Sequence, residues 1–128
     1  MGRTTRIYDK YYGNDTYKVE AVQEVWYKTF GFSLDRIIFD NNIPVKHTTE
    51  NYGYGETEEP SFIISRENLE KVLKIATGYC ESGQGHGYGS WSEISPTWIP
   101  DDWKSVVYEL TIVLAKSDSK EFYVEHSD

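Results

Sequence analysis

The stretch from Tyr17 to Asp40 carries the densest apolar rhythm in the chain, so the other elements are expected to pack on it. Val22, Val25, Trp26, Phe30, Leu34, Ile37 and Ile38 recur there at steps of three and four, the spacing of one helix face. Gly31 and Ser33 lie inside the run and weaken a helix. Because the rhythm passes through both, the pattern favours a single bent helix over two helices meeting there. Asn41-Asn42 ends it, and Pro44 forbids its continuation.

The remaining segments arrange themselves around that helix. Arg3 to Tyr8 reads as a short strand or an extended arm, and Asp9 to Asp15 is rich in turn formers. Ile43 to Thr49 suits an edge strand, where Pro44 is tolerated, and residues 50–60 read as an acidic loop. Phe62-Ile63-Ile64 has the composition of a buried strand. Ser65 follows as a helix N-cap with Glu67 near the positive end of the dipole. Leu69, Val72, Leu73 and Ala76 form that helix's inner face, and Gly78 is expected to stop it. Ser82 to Ser90 is a Gly-rich loop. Pro100 suits a first helical position, with Asp101 and Asp102 in the first turn and Trp103, Val106, Val107, Leu110, Val113 and Leu114 as the apolar face. Ser117-Asp118-Ser119 turns the chain into a last strand, Glu121 to His126. Such an order predicts an α+β fold, about three helices packed with a small, mostly antiparallel sheet, in a single domain over residues 1–128.

Charge narrows the partners. The formal net charge is −8, unevenly spread: residues 1–46 carry seven Lys/Arg against six Asp/Glu, and residues 47–128 carry six against fifteen. Phosphate backbones are bound by clustered Lys and Arg, so direct nucleic-acid binding is not expected. A small anionic ligand needs only a few local donors and stays open. The lone Cys80 forms no intramolecular disulfide and reads as a small buried hydrophobe. No apolar run has membrane-spanning length, and the N-terminus is polar without a signal-peptide core, so a cytoplasmic protein with no membrane partner is expected.

No catalytic constellation stands out. His47, His86 and His126 are widely separated and lack a metal-ligand spacing; neither a metal nor a cofactor is expected, and His126, near the chain end, is expected to be solvent-exposed. The run Gly83-Gln84-Gly85-His86-Gly87-Tyr88-Gly89 lacks the Lys-Ser/Thr and following helix of a P-loop. The carboxylate pairs Glu58-Glu59 and Asp101-Asp102 are adjacent, whereas acid–base catalysis separates two carboxyls across a cleft. No Gly-x-Ser-x-Gly elbow occurs. Two aromatic–glycine alternations do suggest binding: Tyr52-Gly53-Tyr54-Gly55 and His86-Gly87-Tyr88-Gly89-Ser90-Trp91. Glycine lets backbone approach a ligand and a ring can stack on a base, although the plainer reading of both is as flexible surface loops with partly packed tyrosines. Arg3, Arg6, Lys10 and Lys18 stand among Tyr8, Tyr11, Tyr12 and Tyr17. They could hold phosphates, or the arm could simply cover the sheet. Trp91, Trp98 and Trp103 could pack in the core or form a docking patch.

The order of these signals resembles a family of small uncharacterised bacteriophage proteins, through Glu24-Val25-Trp26-Tyr27-Lys28, Ser65-Arg66-Glu67-Asn68-Leu69, Asp102-Trp103 and Phe122-Tyr123-Val124-Glu125-His126. The chain departs from that family after the tryptophan, where Tyr27-Lys28-Thr29-Phe30-Gly31-Phe32-Ser33 replaces an Arg-Lys-x-Asn-x-Ile-His run. The resemblance implies a phage origin and a counter-defence role. The expectation is therefore a non-enzymatic binding protein that sequesters a small anionic ligand such as a signalling nucleotide, as an oligomer. Its rings would be Tyr52, Tyr54, Tyr88 and Trp91, with His86 beside them and Arg3, Arg6 and Arg66 on the phosphates. The alternative is an acidic inhibitor, acting as a nucleic-acid mimic, that docks on a basic host protein.

Overall fold

A computed structural model describes residues 4–48, 61–82 and 98–127. Strand alternation accounts for the sheet. In β1 (Thr4–Tyr8) and β5 (Glu121–Ser127), Thr5, Ile7, Phe122 and Val124 turn to one face and are fully buried. The edge elements are β2 (Gln23–Val25) beside β1, and β3 (Lys46–His47) beside β4 (Phe62–Ser65). The five strands lie in the order β2-β1-β5-β4-β3, each pair antiparallel. Three helices, α1 (Lys28–Asp40), α2 (Arg66–Ser82) and α3 (Trp98–Lys116), accompany it among the described residues. The fold is α+β.

One core joins helices and sheet. Phe30, Leu34 and Ile37 of α1, Leu69, Val72 and Ala76 of α2, and Trp103, Val106, Leu110 and Val113 of α3 are all buried with Ile7, Phe62, Ile64, Phe122 and Val124. The opposite sheet face is covered differently. A 3-10 segment (Gly13–Lys18) and its flanking tyrosines lie over it, with the Tyr8 ring stacked on Tyr123 at 5.9 Å and Tyr11 edge-on to Tyr123 at 4.9 Å. The N-terminal aromatic stretch thus covers the sheet, and Tyr123 is buried although its neighbours Phe122 and Val124 face the other way.

The leading helix is shorter than its apolar rhythm. It begins at Lys28, not near Tyr17; Val25 belongs to β2, and Trp26, assigned by spacing to the helix face, is 70% exposed. Pairing decides this: Val25 stands opposite Thr5 and Gln23 opposite Ile7, and β-branched Val suits a strand. From Lys28 onward α1 runs unbroken through Gly31 and Ser33, both buried. Asn41 caps it, with its Nδ2 donating to the Ile37 carbonyl at 2.9 Å, and Asn42 takes a left-handed φ of 52° that turns the chain away.

Ser65 caps α2 as the sequence suggests, its Oγ accepting the Asn68 N–H at 3.1 Å. Gly78 does not stop the helix, which continues to Ser82. Interior glycine costs about 1 kcal/mol, and the extra turn carries Tyr79 to within 5.0 Å of the buried Trp103 ring, a contact that offsets the loss. Trp103 is core; Trp91 lies outside the described residues.

Candidate functional site

Arg6, Glu24 and Glu125 sit on one rung of the sheet, Arg6 opposite Glu24 in β2 and opposite Glu125 in β5. Period-two alternation puts all three on the face away from the helices. Beside them the 3-10 segment and the following turn raise a wall containing Thr16, Tyr17 and Glu20, enclosing a cleft of about 550 Å³. Arg6 Nε donates to Glu24 Oε2 at 2.6 Å and its Nη1 donates to Ser127 Oγ at 3.1 Å. Glu125 accepts from Tyr8 Oη at 3.3 Å through one oxygen and from Thr16 Oγ1 at 3.1 Å through the other. Burial, with the Glu125 charge beside it, raises the Tyr8 phenol above its ordinary pKa, so it stays a donor at neutral pH. Tyr17 presents its ring at 78% exposure.

Three carboxylates, Glu20, Glu24 and Glu125, therefore line this cleft against the single guanidinium of Arg6. A phosphate entering to meet Arg6 would also meet those charges. A cation is the better match. Arg6 was expected to serve an anion; its geometry is that of a bridge across the sheet.

Arg66, the other described arginine of the expected site, is occupied elsewhere. At the start of α2 its Nη1 donates to the carbonyls of Ser117 (2.7 Å) and Ser119 (3.2 Å), and its Nη2 to that of Leu114 (3.0 Å). It caps the C-terminus of α3, where a positive charge meets the negative end of the dipole. Ser65, just before it, pairs with Glu121, whereas Arg6 pairs with Glu125; four residues of strand separate those rungs by roughly 13 Å. The two arginines do not share a site. Arg3, Tyr52, Tyr54, His86, Tyr88 and Trp91 lie outside the described residues.

A second cleft, about 480 Å³, opens on the helix side of the sheet between the end of α1 and the β3 edge, lined mainly by Ile38, Phe39, Ile43, Val45 and Phe62, with Asp35 and His47. His126 lies behind it. Contrary to the expectation of exposure, its side chain is 3% exposed, because residue 126 falls on the same face as Phe122 and Val124. The ring is fixed at both nitrogens, Nδ1 to Thr5 Oγ1 at 3.0 Å and Nε2 to Asp35 Oδ1 at 3.1 Å.

Sequence reasoning also missed a buried carboxylate. Glu109 of α3 is 6% exposed and accepts from Tyr27 Oη at 2.6 Å and from Gln23 Nε2 at 2.8 Å. Burial and this carboxylate push the Tyr27 phenol up to about 12. The signal was present: Glu109 interrupts the apolar face of α3, where a charge must find partners. Cys80 is partly buried and its thiol is pushed up by desolvation, which keeps it protonated and weakly nucleophilic. Among the described residues no group of three or more His, Cys, Asp or Glu is placed to hold a metal ion, and no helix is long and apolar enough to cross a membrane.

No protein-family model, curated protein or solved structure matches the chain.

Proposed function

We propose that this chain is a non-enzymatic, acidic binding protein that docks on a basic protein partner, with the cleft beside β1 and β2 as the contact. The observation that supports this reading is the convergence of Glu20, Glu24 and Glu125 with an exposed Tyr17 ring around one ion-paired arginine. Carboxylates steer a cationic partner toward the face, and an exposed tyrosine offers a ring to the stems and heads of Lys and Arg. The net charge of −8 acts in the same direction. On the resemblance to phage proteins the partner would be a basic protein of the host, and the activity counter-defence by occupation of its cationic surface.

The test is fluorescence anisotropy with a labelled oligo-arginine peptide on the full chain. Glu20→Lys in the cleft and Glu81→Lys on the exposed end of α2 change net charge equally. Reversing a cleft charge removes one attraction and adds one repulsion, so Glu20→Lys is expected to weaken binding about fivefold. Glu81→Lys should have a much smaller effect, and added salt should weaken binding steeply. Equal losses in the two variants would reduce the effect to bulk charge and overturn the assignment of the cleft.

Sequestration of a signalling nucleotide stays as a second proposal, resting on the aromatic–glycine loops at Tyr52–Gly55 and His86–Trp91. A thermal-shift screen against mono-, di- and cyclic nucleotides separates the two. Ligand at ~100 times its Kd adds roughly 2.7 kcal/mol to stability, and a nucleotide recovered intact after such a shift would favour sequestration over docking.

A further inference from the structure

We infer that the cleft beside β1 and β2 takes a single arginine side chain of the basic partner, in preference to lysine, with the Tyr17 ring as the surface on which its guanidinium stacks. The inference rests on the docking reading above and narrows it from a cationic surface to one kind of residue. The cleft volume of about 550 Å³ falls in the range of pockets that enclose a small molecule, enough for one long side chain.

The rung of the sheet shows which charges are left over. Across β5, β1 and β2 the order is Glu125, Arg6, Glu24. The Arg6 guanidinium is engaged at two atoms, Nε with Glu24 and Nη1 with Ser127 Oγ, so Glu24 has its counter-charge. Glu125 does not: its oxygens accept from the hydroxyls of Tyr8 and Thr16, neutral donors that leave its charge in place. Each of those oxygens keeps a further acceptor position. Glu20 is exposed on the wall of the cleft and makes no ion pair or hydrogen bond among the described residues. One guanidinium cannot neutralise three carboxylates, and a second cation completes the match.

The remaining lining selects the kind of cation. Val19, Ala21 and the Tyr17 ring give the cleft apolar surface for the methylene stem of a long side chain. The ring is 78% exposed. Lys18 Nζ stands 5.4 Å from its centroid, with Asp15 at 3.8 Å to meet that charge. Lys18 does not line the cleft, so the ring surface bordering the cleft is left for a partner. A guanidinium is planar and weakly hydrated: it lies flat on a ring while its N–H groups reach carboxylates in its own plane. An ammonium is a compact charge that must shed a tighter hydration shell to make either contact.

Two labelled peptides of equal charge provide the test on the full chain by fluorescence anisotropy: penta-lysine, and penta-lysine with its central residue replaced by arginine. The single arginine should tighten binding about fivefold, the gain of stacking and in-plane hydrogen bonding over a point charge. Tyr17→Ala, at a position too exposed to disturb folding, should bring the arginine peptide to within about twofold of penta-lysine and leave penta-lysine itself almost unchanged. In NMR spectra the arginine δ-methylene protons should move upfield on binding, as protons over an aromatic face do, and that shift should vanish in Tyr17→Ala. Equal Kd values for the two peptides, with Glu20→Lys still weakening both, would overturn the arginine preference and leave the docking reading standing. A preference retained in Tyr17→Ala would overturn the inference as well, and no binding of either peptide would overturn both.

Discussion

Replacing Arg66 with Ala separates a structural arginine from a ligand-binding one. The guanidinium donates to three carbonyls, those of Leu114, Ser117 and Ser119, at 2.7 to 3.2 Å, and pairs with Glu70 at 3.2 Å. A hydrogen bond from a charged donor contributes about 1.5–3 kcal/mol where water is excluded. At 27% side-chain exposure water re-solvates part of what is lost, so the three bonds do not add in full. The Glu70 partner is 55% exposed and adds only about 0.3–0.5 kcal/mol. A net loss of about 2–3 kcal/mol follows for Arg66→Ala, a large share of the ~5–15 kcal/mol that holds a domain folded. Urea unfolding followed by tryptophan fluorescence reads this directly: with a slope of about 1–3 kcal/mol/M, the midpoint should fall by about 0.7–3 M. Arg66→Lys keeps the charge but cannot span three carbonyls with one ammonium, and should recover less than half of the loss. Glu70→Ala should cost no more than about 0.5 kcal/mol. An Arg66→Ala variant as stable as the wild type would refute the capping argument; if it also lost nucleotide binding, Arg66 would return to the phosphate-holding role expected from the sequence.

Tyr27→Phe removes the 2.6 Å bond to the buried Glu109 and should destabilise the protein by about 1–3 kcal/mol at neutral pH. Tyr27 holds its proton more tightly when folded, at about 12 against an ordinary 10. Its contribution is therefore complete below pH 10 and lost as pH rises toward 12, reduced because the ring is 42% exposed. Chemical unfolding across that window should show an alkaline decline that is shallower in Tyr27→Phe. Finally, Phe30→Ala should cost about 3–5 kcal/mol, whereas Trp26→Ala should stay within about 0.5 kcal/mol of wild type. Equal costs would restore Trp26 to the helix face.

Local chemistry was legible where one residue type leaves few choices. Ser65 before an apolar run is a cap in any context. Pro44 and Asn41-Asn42 end α1, and Trp103 through Val113 define the buried face of α3. Gly78 misled because the energy of one glycine is small beside that of seating Tyr79 on Trp103. The Tyr17–Val25 stretch misled because three-and-four spacing of apolar residues does not say whether a strand partner waits nearby.

The candidate sites were less legible for a related reason. Arg6 and Arg66 carry the right charge for a phosphate, but sequence holds no record of Glu24 at 2.6 Å or of three carbonyls around one guanidinium. Glu20 and Glu24, which line the carboxylate cleft with Glu125, come from residues 1–46, whose charges nearly balance. The amino-acid sequence by itself determined the α+β class, the Ser65 cap and most of the core, since these follow from side-chain periodicity and backbone propensity within a few neighbouring residues. The tertiary structure alone decided that His126 is buried against Thr5 and Asp35, that Glu24 and Glu125 flank Arg6, and that Arg66 meets the carbonyls of Leu114, Ser117 and Ser119. Register across the sheet and the crossing of α1 over its edge make these contacts, and both depend on residues far apart in the chain.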